Sequence, residues 1–343
     1  MEREATQGQP IRVVYFGSPE FAVPTLEALS ADSRFEVTLL VTSLDKAAGR
    51  GRGTSVPSVK EFAARTELPV FQPTSVNQPE TRALLSATNA DLFVVAAYGV
   101  IFGSKTLRLP RLPSVNLHAS LLPAFRGANP IAAAILSGVT RTGVSLMVME
   151  ADLDTGPVLA SSDLPIDSMD TTETLTAKLA MLGAKLVPDA LVEYALGKTI
   201  PRPQLGDPTM TRPLTKLDGW IDWGQPAQYL ERFVRAMWPW PRAWTSIGVR
   251  DPPSLLQLHR ATAQPNWSPS NVYGGPGTFA VKEGRPMVVC GDGMLEIEIG
   301  QVSGGRPLSG AELVRGRRLV NGEVLGQFGA PPPQPAFWRP VEG

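Results

Sequence analysis

The sequence predicts an α/β protein with a doubly wound, mostly parallel, Rossmann-like sheet, followed by a small OB-like β-barrel at the C-terminus. In the N-terminal part, short apolar runs alternate with helix-length segments, the pattern of βαβ units. These runs are apolar along their whole length, as in strands buried on both faces. A segment rich in Pro and Gly then precedes short strands joined by turn dipeptides. Together these observations indicate two domains.

The first strand is predicted over Ile11 to Phe16, since IRVVYF is apolar and ends in Gly-Ser-Pro before a helical pattern. Further strand candidates follow in the order FEVTLLVT, PVFQP, DLFVVAAY, SVNLH and GVSLMVM, with helix-length segments such as 57–65 and 79–87 between them. Open sheets of this class bind their ligands at the carboxyl ends of the strands. We therefore expect the chemistry at that edge.

A long helix is predicted over 171–196, because the pattern is helical and opens with a capping Thr-Thr-Glu. The following GKTIPRPQLGDPTMTRPLTK has the composition of a linker, so the first domain should end near residue 208. A helix over 226–237 then precedes the short strands of the barrel. We predict domains at 1–208 and 209–330, and a flexible tail over 331–343.

Composition narrows the possible functions. With 343 residues, 43% hydrophobic and 19% charged, the chain suits a well-cored protein of two domains. Its formal net charge of zero gives no global sign of a nucleic-acid or membrane partner. The single Cys290 cannot form an internal disulfide, and two histidines do not favour a zinc site. The N-terminus does not resemble a signal peptide and no apolar run reaches ~18 residues, so we expect a cytoplasmic protein.

Candidate catalytic residues lie in the stretch VNLHASLLPAFRGANPI. Asn116 and His118 occupy alternate positions of a strand, so their side chains share one face. An amide donor and an imidazole at a strand end can stabilise a developing oxyanion and move a proton. A structural Asn and a hydrogen-bonded core His fit the pair equally well. Asp154 lies in a Leu-Asp-Thr-Gly turn, where it could orient His118 or only stabilise the turn itself. It belongs to the site only if the fold brings the ends of the two strands together.

A basic, glycine-rich segment, AGRGRGT, lies between the second and third strand candidates. It does not match a dinucleotide fingerprint, because Thr54 stands at the third glycine position. As a loop it could contact phosphates through Lys46, Arg50 and Arg52, or it could be an ordinary solvated surface loop. Farther on, WPWPRAW over 238–244 suggests a base-stacking platform, although Trp alternating with Pro favours a rigid core at the domain junction.

Taken together, these residues resemble the folate-dependent formyltransferases, most closely the methionyl-tRNA formyltransferases. The spaced combination Asn-x-His, Ser-Leu-Leu-Pro-x-x-Arg-Gly and Leu-Asp-Thr-Gly carries the resemblance most specifically. Further matching stretches are FGSPEFAVPTLEAL, AGRGRGTSVPSVKEFA, LPVFQP, VVAAYGVI, TGVSLMVMEADLDTGPVL and IDWGQPAQYLERFVRAMWPWPRAW. The resemblance covers most of residues 11–244 and continues more loosely beyond them.

The resemblance implies transfer of a formyl group from 10-formyltetrahydrofolate, a co-substrate, to the amino group of methionyl initiator tRNA, without a metal. Asn116 and His118 would stabilise the tetrahedral oxyanion, and Asp154 would hold His118 charged and assist proton transfer. The folate would contact Ala97, Tyr98, Gly99, Val100, Ile101, Ser120, Leu121, Leu122 and Pro123, with a cis peptide before the proline. The tRNA would contact Lys46, Arg50, Arg52, Arg315, Arg317 and Arg318. We expect a monomer.

The basic loop departs from the family pattern, because Arg52-Gly53 replaces a common Lys pair and Leu44-Asp45-Lys46-Ala47 replaces Pro-Asp-Arg-Pro. Three alternatives stay open: a 10-formyltetrahydrofolate hydrolase, a sugar-nucleotide formyltransferase, and a non-catalytic folate- or RNA-binding relic. The basic loop and the full C-terminal domain favour tRNA over the first two. The intact set of Asn116, His118 and Asp154 argues against a relic.

Overall fold

A computed structural model of the chain describes residues 9–48, 53–248, 254–265, 274–316, 318–327 and 337–340. Its N-terminal strands are β1 (Ile11–Gly17), β2 (Phe35–Val41), β3 (Lys46–Ala48), β4 (Gly53–Ser55), β5 (Val70–Phe71), β6 (Leu92–Ala96), β7 (Val115–His118), β8 (Arg126–Gly127), β9 (Arg141–Val148) and β10 (Val158–Pro165). Its N-terminal helices are α1 (Val23–Ala31), α2 (Ser58–Thr66), α3 (Pro79–Ala87), α4 (Ser104–Leu107), α5 (Pro130–Ser137) and α6 (Thr172–Ala195), with a 3₁₀ turn over Glu20–Ala22.

Seven of these strands form one sheet in the order β10-β9-β7-β6-β1-β2-β5. The five strands β1, β2, β5, β6 and β7 pair in parallel, whereas β9 runs antiparallel to both β7 and β10. The antiparallel hairpin thus closes one edge of an otherwise parallel sheet. The mostly parallel α/β fold predicted from the sequence is confirmed.

The sheet is buried on both faces, as the uniformly apolar strands predicted. Alternate side chains of β1 enter different cores: Val13 and Tyr15 pack on the side of α1, α5 and α6, and Val14 and Phe16 on the side of α3. The long helix α6 begins at Thr171, whose side chain accepts a hydrogen bond from the amide of Thr174. Such a cap satisfies one of the free amides at a helix start.

The C-terminal elements are β11 (Thr209–Thr211), a 3₁₀ turn (Lys216–Gly219), α7 (Ala227–Ala236), β12 (Ala243–Ile247), β13 (Ser254–Gln264), β14 (Phe279–Lys282), β15 (Arg285–Val289), β16 (Met294–Val302), β17 (Leu308–Ser309), α8 (Gly310–Arg315) and β18 (Trp338–Pro340). An antiparallel sheet runs β12-β13-β16-β15-β14, with β17 on β16, consistent with the predicted small barrel. Helix α7 packs on this sheet and on α5, so it joins the two parts of the molecule.

A third, small sheet in the order β18-β11-β8 links distant parts of the chain. Strand β11 begins at the predicted second domain yet pairs in parallel with β8 of the first. Strand β18 lies within the predicted flexible tail, but it pairs with β11, and the Trp338 ring contacts Phe125 edge-on at 6.2 Å between centroids. The rest of the predicted tail, 331–336 and 341–343, lies outside the described residues, so its flexibility stays a prediction.

Candidate active site

Asn116 and His118 lie on β7, in the middle of the large sheet. Asn116 is paired with Val95 of β6 on one side and with Met147 of β9 on the other. Because β1, β6 and β7 are parallel and end close to one another in register, their carboxyl ends form one edge of the sheet. This is the edge at which α/β sheets bind ligands.

Asp154, on the loop between β9 and β10, meets the two side chains of β7. Its Oδ1 lies 3.4 Å from Asn116 Nδ2, and its Oδ2 lies 3.5 Å from His118 Nδ1. The Gly127 amide donates to Oδ2 at 2.8 Å. His118 and Asp154 are both buried. The fold thus brings together the two strand ends, which the sequence left open.

The hydrogen bond on the far side of the imidazole defines its tautomer. His118 Nε2 lies 2.9 Å from the carbonyl oxygen of Phe125. A carbonyl oxygen only accepts, so Nε2 carries a hydrogen and donates it. Nδ1 is therefore the ring nitrogen that faces the Asp154 carboxylate. A positive charge on the ring would be stabilised there.

The Asp154 backbone adopts an uncommon conformation, with a φ of 54° in the left-handed region. Two residues on, a Cβ at Gly156 would lie 1.8 Å from the Val148 carbonyl oxygen, so glycine is required there. The side chain of Gln204 donates to the carbonyls of Asp154 and Gly156, at 2.8 Å each. Gln204 was not predicted as a site residue, because it lies in a segment whose composition indicated only a linker.

The Ser-Leu-Leu-Pro loop follows β7. Ser120 is buried, and its hydroxyl donates to the Ala124 carbonyl at 2.5 Å. Ser145 of β9, a residue that sequence reasoning missed, donates to the Ser120 carbonyl and accepts from the Leu122 amide. The Leu122–Pro123 peptide is cis, as the resemblance implied. The Ser120 hydroxyl thus bonds within its own loop.

The remaining predicted folate residues, 97–101, directly follow β6 at the same sheet edge. Tyr98 is buried against Phe16, with ring centroids 5.7 Å apart, and burial raises the pKa of its hydroxyl to about 12. Its ring therefore belongs to the core. Val100 and Ile101 are exposed, Ile101 by 73%. A ligand at this edge would meet those two side chains.

The backbone of this loop is shaped by residues of positive φ and by one asparagine. Ala97 has a φ of 48° and Gly99 of 75°. The Asn77 side chain donates to the Ile101 carbonyl at 2.9 Å and accepts from the Gly103 amide at 2.7 Å. The loop therefore has a defined path over the strand end.

A groove of about 880 Å³ lies between β10 and the segment that joins the two domains. Among the predicted folate residues it is lined by Leu121 and Leu122. The rest of its wall is formed by Ser145, Val158, Leu159, Ala160, Ser161, Lys198, Thr199, Ile200, Arg202, Pro203, Gln204 and Leu205. Residues 97–101 do not line this groove, so the predicted folate residues are distributed over two surfaces.

The structure describes three of the six predicted tRNA contacts. Lys46 is exposed on β3, and Arg315 and Arg318 are exposed in the C-terminal part. Arg50, Arg52 and Arg317 lie outside the described residues. Within the described ranges, no group of three or more His, Cys, Asp or Glu residues could hold a metal ion. In that same part of the chain, no helix is long and apolar enough to cross a membrane.

Comparison with protein families gives two matches. Residues 11–191 match the formyl transferase family, and residues 213–318 match the formyl transferase C-terminal domain. A methionyl-tRNA formyltransferase of Roseiflexus sp. (strain RS-1) is 40% identical over 325 residues, covering 94% of this chain and 97% of that protein. The protein of the same name from Xanthomonas axonopodis pv. citri (strain 306) is 42% identical, covering 90% and 98% respectively.

Solved structures show the same fold at lower identity. An N-formyltransferase from Helicobacter canadensis, in complex with folinic acid and dTDP-3-aminofucose, superposes with a TM-score of 0.60 at 16% identity, covering 84% of this chain and 98% of that one. HypX from Aquifex aeolicus, in complex with tetrahydrofolic acid, gives a TM-score of 0.57 at 16% identity, covering 89% and 47%. At this identity the likeness concerns the fold alone.

Proposed function

Both domains of the chain belong to the formyl transferase family, and on this premise we propose that the enzyme transfers the formyl group of 10-formyltetrahydrofolate to the amino group of methionyl initiator tRNA. The observation that carries the proposal is the contact of Asn116, His118 and Asp154 at the sheet edge. Relatives named for this reaction are about 40% identical along nearly the whole chain, including the C-terminal domain, which supports the choice of acceptor.

In the proposed mechanism, the amino nitrogen of methionine attacks the formyl carbon and the carbonyl oxygen becomes an oxyanion. The amide of Asn116 has two hydrogens, of which one faces Asp154 and the other is left for the oxyanion. The protonated Nδ1 of His118 is the second donor, and the Asp154 carboxylate stabilises its charge. These donors favour the tetrahedral state, in which the charge has developed.

Collapse of the intermediate breaks the bond between the formyl carbon and N10 of the folate. The attacking amine loses one proton and N10 gains one, so tetrahydrofolate leaves as a neutral amine. Asp154 lies beside both Asn116 and His118 and assists this transfer. The folate is held at the edge formed by 97–101 and 120–123, and the tRNA by the β3–β4 hairpin and by Arg315 and Arg318.

The test is a paired assay with 10-formyltetrahydrofolate, with and without methionyl initiator tRNA. We expect formyl-methionyl-tRNA to form in the complete mixture and little formate to be released without tRNA. Equal release of tetrahydrofolate and formate in both mixtures would identify a hydrolase and overturn the tRNA acceptor. A third mixture with an amino-sugar nucleotide covers the other acceptor class, and formylation of the sugar alone would likewise overturn the proposal.

A further inference from the structure

Gln204 lies on the segment between α6 and β11, which joins the two domains. Both hydrogens of its side-chain amide have acceptors, the carbonyl oxygens of Asp154 and Gly156, each at 2.8 Å. Its Oε1 accepts from the Arg126 guanidinium, at 2.7 Å from Nη2 and 3.1 Å from Nε. A glutamine that uses two donors and its acceptor in this way is fixed in one orientation.

The loop that Gln204 grips is the one that carries the proposed catalytic carboxylate. Asp154 has left-handed backbone geometry, which a non-glycine residue keeps only where its surroundings enforce it. The two carbonyl contacts of Gln204 hold the backbone at Asp154 itself and two residues beyond. Rotation of these peptides would carry the carboxylate away from Asn116 and His118.

The segment around Gln204 is itself anchored to the catalytic domain. Two residues earlier, Arg202 exchanges two backbone hydrogen bonds with Val158, each at 2.8 Å. Five residues later, the amide of Thr209 donates to the Pro123 carbonyl at 3.3 Å. Gln204 therefore reaches the Asp154 loop from a strap that is fixed to the domain on both sides.

We propose that Gln204 is a positioning residue that sets the Asp154 carboxylate against Asn116 and His118. The segment between the domains is then part of the catalytic apparatus as well as a connection. This inference rests on the proposed function, since it acts through the role of Asp154. Gln204 itself does not touch the reacting atoms.

The first test is Gln204→Ala. We expect kcat to fall between about 10- and 100-fold, because a small misplacement of a reacting group has effects of this size, while KM for folate and for methionyl-tRNA changes little. Gln225→Ala is the matched control, since it removes the same side chain and its hydrogen bond to Asp222 at 2.9 Å, away from Asp154. A kcat equal to that of the control would overturn the proposal.

A second variant, Gln204→Glu, separates the hydrogen bonds that Gln204 donates from those that it accepts. It keeps an acceptor for Arg126 but has no hydrogen to donate to the carbonyls of Asp154 and Gly156. We expect a loss of kcat similar to that of the alanine variant. Wild-type turnover would show that the Arg126 contact alone matters, which would contradict the inference.

A double-mutant cycle excludes a merely structural role. When Asp154→Ala is already present, adding Gln204→Ala should lower single-turnover rates less than about twofold, because residues that act as a unit are not additive. A full additional loss would overturn the proposal. If the wild type releases formate without forming formyl-methionyl-tRNA, methionyl-tRNA is not the acceptor and the proposed function is wrong. The same double-mutant cycle is then measured by the rate of formate release, which tests the role of Gln204 separately.

Discussion

At the scale of single residues, the different proposed roles of Asn116 and His118 follow from their hydrogen bonds. His118 Nε2 is committed to the Phe125 carbonyl at 2.9 Å, which leaves Nδ1 for the site. The Asn116 contact with Asp154 is long, at 3.4 Å, so this amide remains able to turn toward a developing oxyanion. The Asn116 donor should therefore matter more for the transition state than for the folded state.

Asn116→Ala tests this division. Loss of one oxyanion donor typically raises the barrier by ~2.7–4 kcal/mol, so kcat should fall about 10²-fold or more. The thermal unfolding midpoint should change little, because the side chain makes no short hydrogen bond to Asp154. Steady-state kinetics and thermal denaturation measure the two quantities. Near-normal turnover would remove Asn116 from the mechanism.

Cys290 gives a prediction about pH. The thiol is buried, with 2% exposed, and desolvation raises its pKa from 9.0 to about 12. Because the folded pKa lies above the unfolded one, this contribution to stability is present below pH 9 and lost as pH rises toward about 12. At pH 8 the native thiol should not react with a disulfide reagent, whereas the denatured chain should react with one equivalent. Rapid reaction of the native protein would contradict this.

The site residues that could be predicted from the sequence stand in a local pattern, whereas the missed ones are defined by contacts with residues distant in sequence. Asn116 and His118 can be recognised from alternation on one strand, and Asp154 from the turn after another. Gln204 and Ser145 have no such local pattern, because their partners lie far away in sequence. The Gln204 contact with Asp154, for example, spans 50 positions. Such contacts are decided by packing and are visible only in the folded chain.

At the scale of elements, the β3–β4 hairpin is attached firmly at its base. Lys60 forms an ion pair with Asp45 at 2.7 Å, and Gln72 donates to the same carboxylate. The hydrogen bond from Lys60 is the first reason that the pKa of Asp45 lies below its usual value. Asp45, which precedes Lys46 in sequence, is thus already paired, which leaves the exposed Lys46 available to a phosphate.

Lys46→Glu should therefore weaken tRNA binding without harming the chemistry. We expect KM for methionyl-tRNA to rise several-fold at low salt and its salt dependence to decrease by about one unit of slope, with little change in kcat. Lys185→Glu, an exposed lysine on α6, is the matched control for the change in net charge. Equal effects of the two variants would indicate a general charge effect and remove Lys46 from the tRNA surface.

At the scale of the whole molecule, the two domains are joined more closely than their composition indicates. The sequence predicted a boundary at 208, where Pro, Gly and polar residues end the regular pattern. In the structure, β11 begins at the next residue and pairs with β8, whose Gly127 contacts Asp154 of the proposed site. Composition shows where the regular secondary-structure pattern ends. The pairing of a strand with one distant in sequence produces no local pattern from which it could be predicted.

This arrangement makes β11 a support of the loop between β7 and α5, which contacts the proposed catalytic residues. The Thr209 hydroxyl accepts from the Phe125 amide at 2.7 Å, and the Thr211 hydroxyl donates to the Arg126 carbonyl at 2.9 Å. The same loop supplies the Phe125 carbonyl to His118 and the Gly127 amide to Asp154. Removal of β11 should therefore disturb both side chains, even when no tRNA is involved.

Two fragments, 1–208 and 1–214, test this point because they differ only by β11 and the three residues that follow it. Both fragments lack α7 and therefore lose its packing on α5. Because this loss is common to both, it does not affect the difference between their rates. Formyl transfer to a small primary amine, such as methionine methyl ester, avoids any need for tRNA contacts. We expect the shorter fragment to be slower by about tenfold or more, as for a displaced reacting group. Equal rates would mean that β11 is only a connection between the two parts of the chain.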